Sequence, residues 1–198
     1  GTICAYYAAV RRWPLRRALM CGLQLAQAMR FLHHSAMNGG RVLHRDLKPD
    51  NVGFTKSGRL VLFDFGLATL WENQGEESSD DPRKLTGQTG STRYMSPEVA
   101  LSKNYNYKSE VFSFATILWQ LVSHRRPFSG MSVLAFEDRV AQGGERPSLN
   151  NDWPKALNDL LRACWQVDPQ ARPSFADLVP RLEAVIEHLP ERKTTSVA

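Results

Sequence analysis

The run SEVFSFATILWQLVSH, Ser109 to His124, is apolar on nearly every side. A helix of that kind has no face to offer water, so it predicts a buried central helix around which the rest of the chain packs. A partner lies upstream. In LRRALMCGLQLAQAMRFLHH, the residues Leu15, Leu19, Gly22, Leu25, Met29 and Leu32 recur at steps of three and four, and Pro14 stands where proline opens a first helical turn. Two more helices are expected later, one in ALNDLLRACWQ and one after DPQARP, where Ser174 and Asp177 have the spacing of a capping box. Pro180 should interrupt or kink the last helix, because it lacks the amide that a helix interior uses. At 198 residues the chain is long enough to bury a single core.

Strand signals are few. VGFTKSGRLVLFDFG reads as a β-hairpin turning at Lys56-Ser57-Gly58, with Phe63 and Asp64 at its exit. From Leu70 to about Ser91 periodicity is lost, and ENQGEESSDDPRK, with five acids between Glu72 and Asp81, reads as a mobile loop. The three cysteines, Cys4, Cys21 and Cys164, form no C-x-x-C pair, which argues against a disulfide framework or a zinc site and for reduced thiols in an intracellular, cytoplasmic setting. No stretch of about 18 uninterrupted apolar residues marks a membrane segment. The excess of 25 Lys and Arg over 20 Asp and Glu falls partly in RRWPLRR, which reads as a solvated helix start and not as a nucleic-acid surface.

Between the first helix and the hairpin lies VLHRDLKPDN, Val42 to Asn51. A solvated loop explains its charge but not its apolar lead-in. Phosphoryl transfer needs a group that accepts or orients the proton of the attacking hydroxyl, oxygen ligands for Mg²⁺, and fixed positive charge near the transferred group. Asp46, Lys48 and Asn51 supply those three types within six residues, and Asp64 adds a second hard carboxylate thirteen residues after Asn51. Each alone is an ordinary turn residue, cap or solvated charge. Their combination is what points to chemistry.

HRDLKPDN at His44 to Asn51, DFG at Asp64 to Gly66 and SPE at Ser96 to Glu98 stand in the order and spacing of the protein-kinase catalytic loop, metal loop and activation-segment end, and the chain resembles that family. YKSEVFSFATILWQLVSHRRPF is similar to the family's central helix region and CWQVDPQARPSF to its closing segment. The resemblance implies a protein-kinase-like fold, specifically its mainly α-helical C-terminal lobe with a short β-hairpin carrying the catalytic and metal loops. Residues 1–189 would form this partial kinase domain and 190–198 a flexible tail. Asp46 would accept or orient the substrate hydroxyl proton, Lys48 would neutralise the transferring phosphoryl of ATP, and Asn51 and Asp64 would hold Mg²⁺. His44 would pack the loop. Arg45 would pair with a phosphorylated activation segment, for which Ser78, Ser79, Thr86 and Thr89 are candidate phosphosites. Ser91 would bridge Asp46 and Lys48, and Glu98 with Arg172 would form a structural ion pair.

Lys48 in this position, with TGSTRYMSPE as the docking loop for a protein substrate, resembles serine/threonine kinases, and the wording of the later segments leans toward the tyrosine-kinase-like group. Four residues depart from the family pattern. Glu110 stands for the usual Asp that supports the catalytic loop, and its extra methylene is expected to misplace that support by about an ångström, a shift large enough to matter in a preorganised site. Phe112 replaces a usual Trp, Ala115 a usual Gly, and Gly53 a usual apolar strand residue. No G-x-G-x-x-G run occurs, so the small β-rich lobe that clamps phosphate is expected to be absent and to be the chain's missing partner. Two readings follow: a serine/threonine protein kinase, or a catalytically impaired pseudokinase-like interaction module.

Overall fold

A computed structural model describes residues 13–38, 40–72 and 81–190. Cys4, Ser78, Ser79 and the tail from residue 191 onward lie outside these. Helix α1, Leu15–His34, starts after Pro14 and buries Leu19, Gly22, Leu25, Met29 and Leu32, the stripe its spacing predicts. Strand β1, Gly40–Leu43, leads into a 3-10 turn at Pro49–Asn51 and the hairpin of β2, Val52–Phe54, with β3, Leu60–Leu62. Strand β4, Thr69–Glu72, follows, then a 3-10 turn at Thr92–Tyr94 and the short helix α2, Pro97–Ala100. The central helix α3 is Ser109–Ser123. After it come α4, Val133–Phe136, continued as one wider turn through Glu137–Gln142, then α5, Lys155–Cys164, and α6, Phe175–Glu187.

The architecture is helical with two small sheets. Helix α3 is the axis: Val111, Phe112, Phe114, Ala115, Ile117 and Leu118 are fully buried. Helix α1 packs on it and on α6, while α5 closes the far side. At the closest approach of α1 to α3, a methyl group on Gly22 would lie 2.6 Å from Leu118 Cδ1, so glycine here sets the helix spacing. Phe112 fills the base of the lobe between two guanidiniums, those of Arg146 at 4.9 Å and Arg172 at 5.5 Å from its ring centre. Cys21 and Cys164 are buried free thiols, and burial pushes Cys164 up to about 12.

Two expectations change. Helix α6 is not interrupted at Pro180, which lies inside it. It stands on the exposed side, while Leu178, Val179, Leu182 and Val185 stay buried opposite. Irregular chain does not begin at Leu70: β4 pairs antiparallel with β1, Leu43 opposite Thr69 and Gly40 opposite Glu72. Trp71 is the reason, since it is 1% exposed in a small cluster with Leu43 and Tyr107. Gly53 stands opposite Val61 in the continuous register of the hairpin. The capping box is present, with Ser174 N donating to Asp177 Oδ2 at 2.9 Å and Asp177 N to Ser174 Oγ at 3.3 Å. No helix among the described residues is long and apolar enough to cross a membrane.

Candidate active site

The site is built where the two sheets meet the end of α1. Strand β1 delivers Leu43, fully buried, and the chain then turns sharply: Arg45 has a left-handed backbone at φ 65°. His44, also fully buried, donates from Nε2 to the Phe63 carbonyl at 2.8 Å and accepts the Asp46 amide on Nδ1 at 3.3 Å. The tautomer with its proton on Nε2 satisfies both bonds, so His44 ties the loop to the exit of the hairpin and has no nitrogen left for chemistry. Phe63 N donates to the Asn51 carbonyl at 2.8 Å, which places Asp64 beside Asn51.

Asp46 is the hub. Lys48 Nζ donates to its Oδ2 at 2.6 Å, Asn51 Nδ2 to the same oxygen at 3.2 Å, and Ser91 N to Oδ1 at 2.9 Å. Burial alone would disfavour its charge, but the hydrogen bonds and charge of Lys48 and the bonds from Ser91 outweigh burial and hold the carboxyl below its ordinary value. An ionised acceptor is thus held, largely buried, by three donors from two segments.

Two hard oxygens remain open beside it. Asn51 Nδ2 is committed to the Asp46 carbonyl and carboxylate, while its Oδ1 has no partner among the described residues. Asp64 is exposed, adopts φ 56°, and among the described residues accepts only the Gly66 amide, on Oδ1 at 3.3 Å. A left-handed backbone at a non-glycine residue costs roughly 1 to 2 kcal/mol, and such strain persists where surrounding structure fixes it. An amide oxygen and a carboxylate are the donors Mg²⁺ takes, with water and phosphate oxygens completing the shell, so the residues fit that ion.

The support beneath the loop comes from Glu110, whose Oε1 accepts the Arg45 amide at 2.7 Å and whose Oε2 accepts His33 Nε2 at 2.6 Å. The longer side chain thus reaches the loop with both carboxylate oxygens engaged, one donor each. His33, 1% exposed and edge-on to Tyr107 and Phe175, is a part that the sequence reading missed; its partner is 77 positions away. Gly90 is another. It has φ +96°, and a methyl group there would sit 2.5 Å from the Arg45 carbonyl and 3.0 Å from Asp46 Oδ1, so only glycine lets Ser91 reach Asp46. A glycine directly before Ser91 was the available signal.

Arg45 turns its guanidinium toward the activation segment, where Nη2 donates to Thr86 Oγ1 at 3.1 Å and to Thr89 Oγ1 at 3.4 Å. Farther off, Arg172 and Glu98 meet in a buried bidentate pair at 2.6 and 2.8 Å. Among the described residues, then, Arg45, Asp46, Lys48, Asn51, Asp64, Ser91 and Glu110 converge on one site, while Glu98 and Arg172 pair with each other outside it.

Similarity to known proteins agrees with this geometry. Residues 9–182 match the model of the family described as protein tyrosine and serine/threonine kinase. The serine/threonine-protein kinase VIK of Arabidopsis thaliana is 37% identical over 175 residues, covering 87% of this chain and 39% of that protein. Serine/threonine-protein kinase STY17 from the same plant is 31% identical over 177 residues, 89% of this chain and 29% of that protein. Mitogen-activated protein kinase kinase kinase 7 of Bos taurus is 34% identical over 170 residues, 85% of this chain and 27% of that protein. The chain therefore spans well under half of the curated relatives it matches. With a family match over most of its length, the chain belongs to the protein tyrosine and serine/threonine kinase family.

Proposed function

We propose that this chain carries the catalytic half of a serine/threonine protein kinase active site and serves transfer of the ATP γ-phosphoryl group to Ser or Thr hydroxyls of proteins. The observation that carries the reading is the Asp46 carboxylate, bound at once by Lys48, Asn51 and the Ser91 amide. Asp46 would orient the substrate hydroxyl and take its proton. Lys48 would place positive charge beside the transferring group, and Ser91 would hold the docking loop against the base. Mg²⁺, when bound with ATP, neutralises charge on the phosphates; Asn51 Oδ1 and the Asp64 carboxylate would hold it. The serine/threonine preference rests on Lys48 and on the names of the related kinases.

The 198 residues contain no G-x-G-x-x-G run of the kind that clamps phosphate. Phe63, Phe65, Leu67 and Leu70 lie 42%, 44%, 41% and 52% exposed along the metal loop and β4, an apolar face suited to an N-terminal lobe that would supply it. Residues 1–189 would then form the large lobe of that domain. Phosphate on Thr86 or Thr89 would strengthen the existing Arg45 contacts through charge-assisted bonds and order the segment. A second reading is a kinase-like module that docks partners without catalysis.

One experiment separates the two. Radiolabelled phosphate from ATP should reach a protein substrate in the presence of the full-length protein, and Asp64→Asn should abolish transfer, while the 198-residue chain alone should be weak or inactive. A full-length protein that transfers no phosphate and gains no thermal stability from Mg²⁺ and ATP would leave only the docking reading.

A further inference from the structure

The stretch from Arg83 to Gly90 has no regular structure, and Lys84, Thr86 and Gln88 in it are exposed. Surface chain of this kind ordinarily opens in small local motions. Here one buried residue bonds it at two points. Tyr105, 1% exposed, exchanges two backbone hydrogen bonds with Arg83, from Arg83 N to the Tyr105 carbonyl at 3.0 Å and from Tyr105 N to the Arg83 carbonyl at 3.1 Å. Three residues on, the Tyr105 hydroxyl donates to the Thr86 carbonyl at 3.0 Å. Between these points Leu85 is half-buried against the cluster of Leu43, Trp71 and Tyr107. Arg83 is itself fixed, with its guanidinium 4.4 Å from the centre of the Trp71 ring and Nη1 donating to the Glu72 carbonyl at 2.7 Å.

The hydroxyl is placed to act on the candidate active site. Thr86 takes Tyr105 on its carbonyl and the Arg45 guanidinium on its Oγ1, so it is held between a residue that precedes α3 and the residue next to Asp46. The Thr89 hydroxyl donates to the same Thr86 carbonyl at 2.8 Å, and Gln88 N donates to the Val99 carbonyl at 2.9 Å. The grip is thereby passed along the turn to Gly90 and to Ser91, whose amide holds Asp46. Every one of these bonds is made by unmodified side chains and backbone. Burial pushes the Tyr105 phenol above its ordinary value, with the Arg45 charge working against that shift and the Glu110 charge with it, so the hydroxyl stays a donor at neutral pH.

We propose that Tyr105 is a positioning residue: its hydroxyl seats the segment leading to Ser91 before any phosphate is added to Thr86 or Thr89, and so presents the docking loop to a protein substrate. This deepens, and rests on, the reading of the chain as a protein kinase. A phosphate on Thr86 or Thr89 then reinforces a segment already in place, and Tyr105 sets how much of the site is formed without it.

Tyr105→Phe removes the hydroxyl and keeps the ring, which makes it the test. In phosphatase-treated full-length protein, hydrogen exchange read by mass spectrometry at short labelling times should run about two- to tenfold faster in peptides covering residues 84–90, the factor that the net contribution of one hydrogen bond gives. Peptides from α3 and α5 should not change at those times, because their amides open only with the core. In phosphate-transfer assays the same variant should raise the KM for the protein substrate by a similar factor and leave the KM for ATP unchanged. Unchanged exchange over residues 84–90, or a rise shared equally by all peptides, overturns the proposal. So does a KM for the protein substrate that does not move in an active enzyme. Faster local exchange in a full-length protein that transfers no phosphate would overturn only the catalytic reading and leave the fastening by Tyr105 standing.

Discussion

Removing the Arg172 side chain should unfold this protein more readily than any surface change, and the structure says by how much. All five donor hydrogens of the guanidinium are engaged: Nη1 and Nη2 with Glu98, Nε with the Gln166 carbonyl at 2.8 Å, and longer contacts from Nη1 to the Lys108 carbonyl and from Nη2 to the Val167 carbonyl, both 3.3 Å. The residue is 1% exposed and Glu98 is 6% exposed. Arg172→Ala strands the buried Glu98 carboxylate, and breaking a buried pair in this way costs about 3 to 5 kcal/mol. At roughly 2 to 4 °C per kcal/mol for a domain of this size, the melting midpoint should fall by about 6 to 20 °C. Differential scanning calorimetry or circular dichroism measures it. The double variant Glu98→Gln with Arg172→Met removes both charges and should recover much of the loss, because the pair repays little beyond its own desolvation. A midpoint that moves by less than about 2 °C in Arg172→Ala would refute the reasoning. A double variant as unstable as the single one would show instead that packing on Phe112, not the buried charge, sets the cost.

Three further outcomes follow. Glu110→Ala leaves the Arg45 amide and buried His33 without their acceptor and should cost about 3 to 5 kcal/mol in denaturant titration, since bonds to a charged group contribute about 1.5 to 3 kcal/mol each; a loss below about 1 kcal/mol would mean water replaces the carboxylate. Gly90→Ala should lower both the melting midpoint and any phosphate transfer by the full-length protein, because its methyl group collides with the Arg45 carbonyl; normal activity would show that the Ser91 to Asp46 contact is dispensable. The Asp46 carboxyl titrates below its unfolded value of about 3.9, so its stabilising contribution is complete above that pH and is lost as pH falls through the lower folded value. The stability difference between the wild-type chain and Asp46→Asn should therefore stay flat from pH 5 to 8 and change only below about pH 4; a difference that drifts between pH 5 and 8 would contradict the assignment.

The parts of the site that are close in sequence were legible before the structure. Asp46, Lys48 and Asn51 lie within six residues, so their types and spacing suffice, and the all-apolar run of α3 announces its own burial. Glu98 and Arg172, 74 positions apart, were reachable only through family resemblance. What escaped depends on shape. The role of Gly90 is a backbone angle and a gap of 2.5 Å, neither of which is written in a residue type. His33 sits in an amphipathic stripe like any other core residue until the helix crossing brings Glu110 to it. Strand β4 was read as loop because only Trp71 of its four residues is buried. Pro180 was overrated as a breaker because local propensity was weighed without the apolar face that holds α6 in place.

The bond from the Arg45 amide to Glu110 has a consequence for motion. This amide sits in a loop at the molecular surface, where backbone hydrogens ordinarily exchange with solvent through small local openings. Here the acceptor is a buried side chain on α3 that is also tied to His33 on α1. Its release should require those two helices to part, so hydrogen exchange at this amide is expected to run on the timescale of the core and not of a surface loop, and the loop that would handle phosphate would share that rigidity.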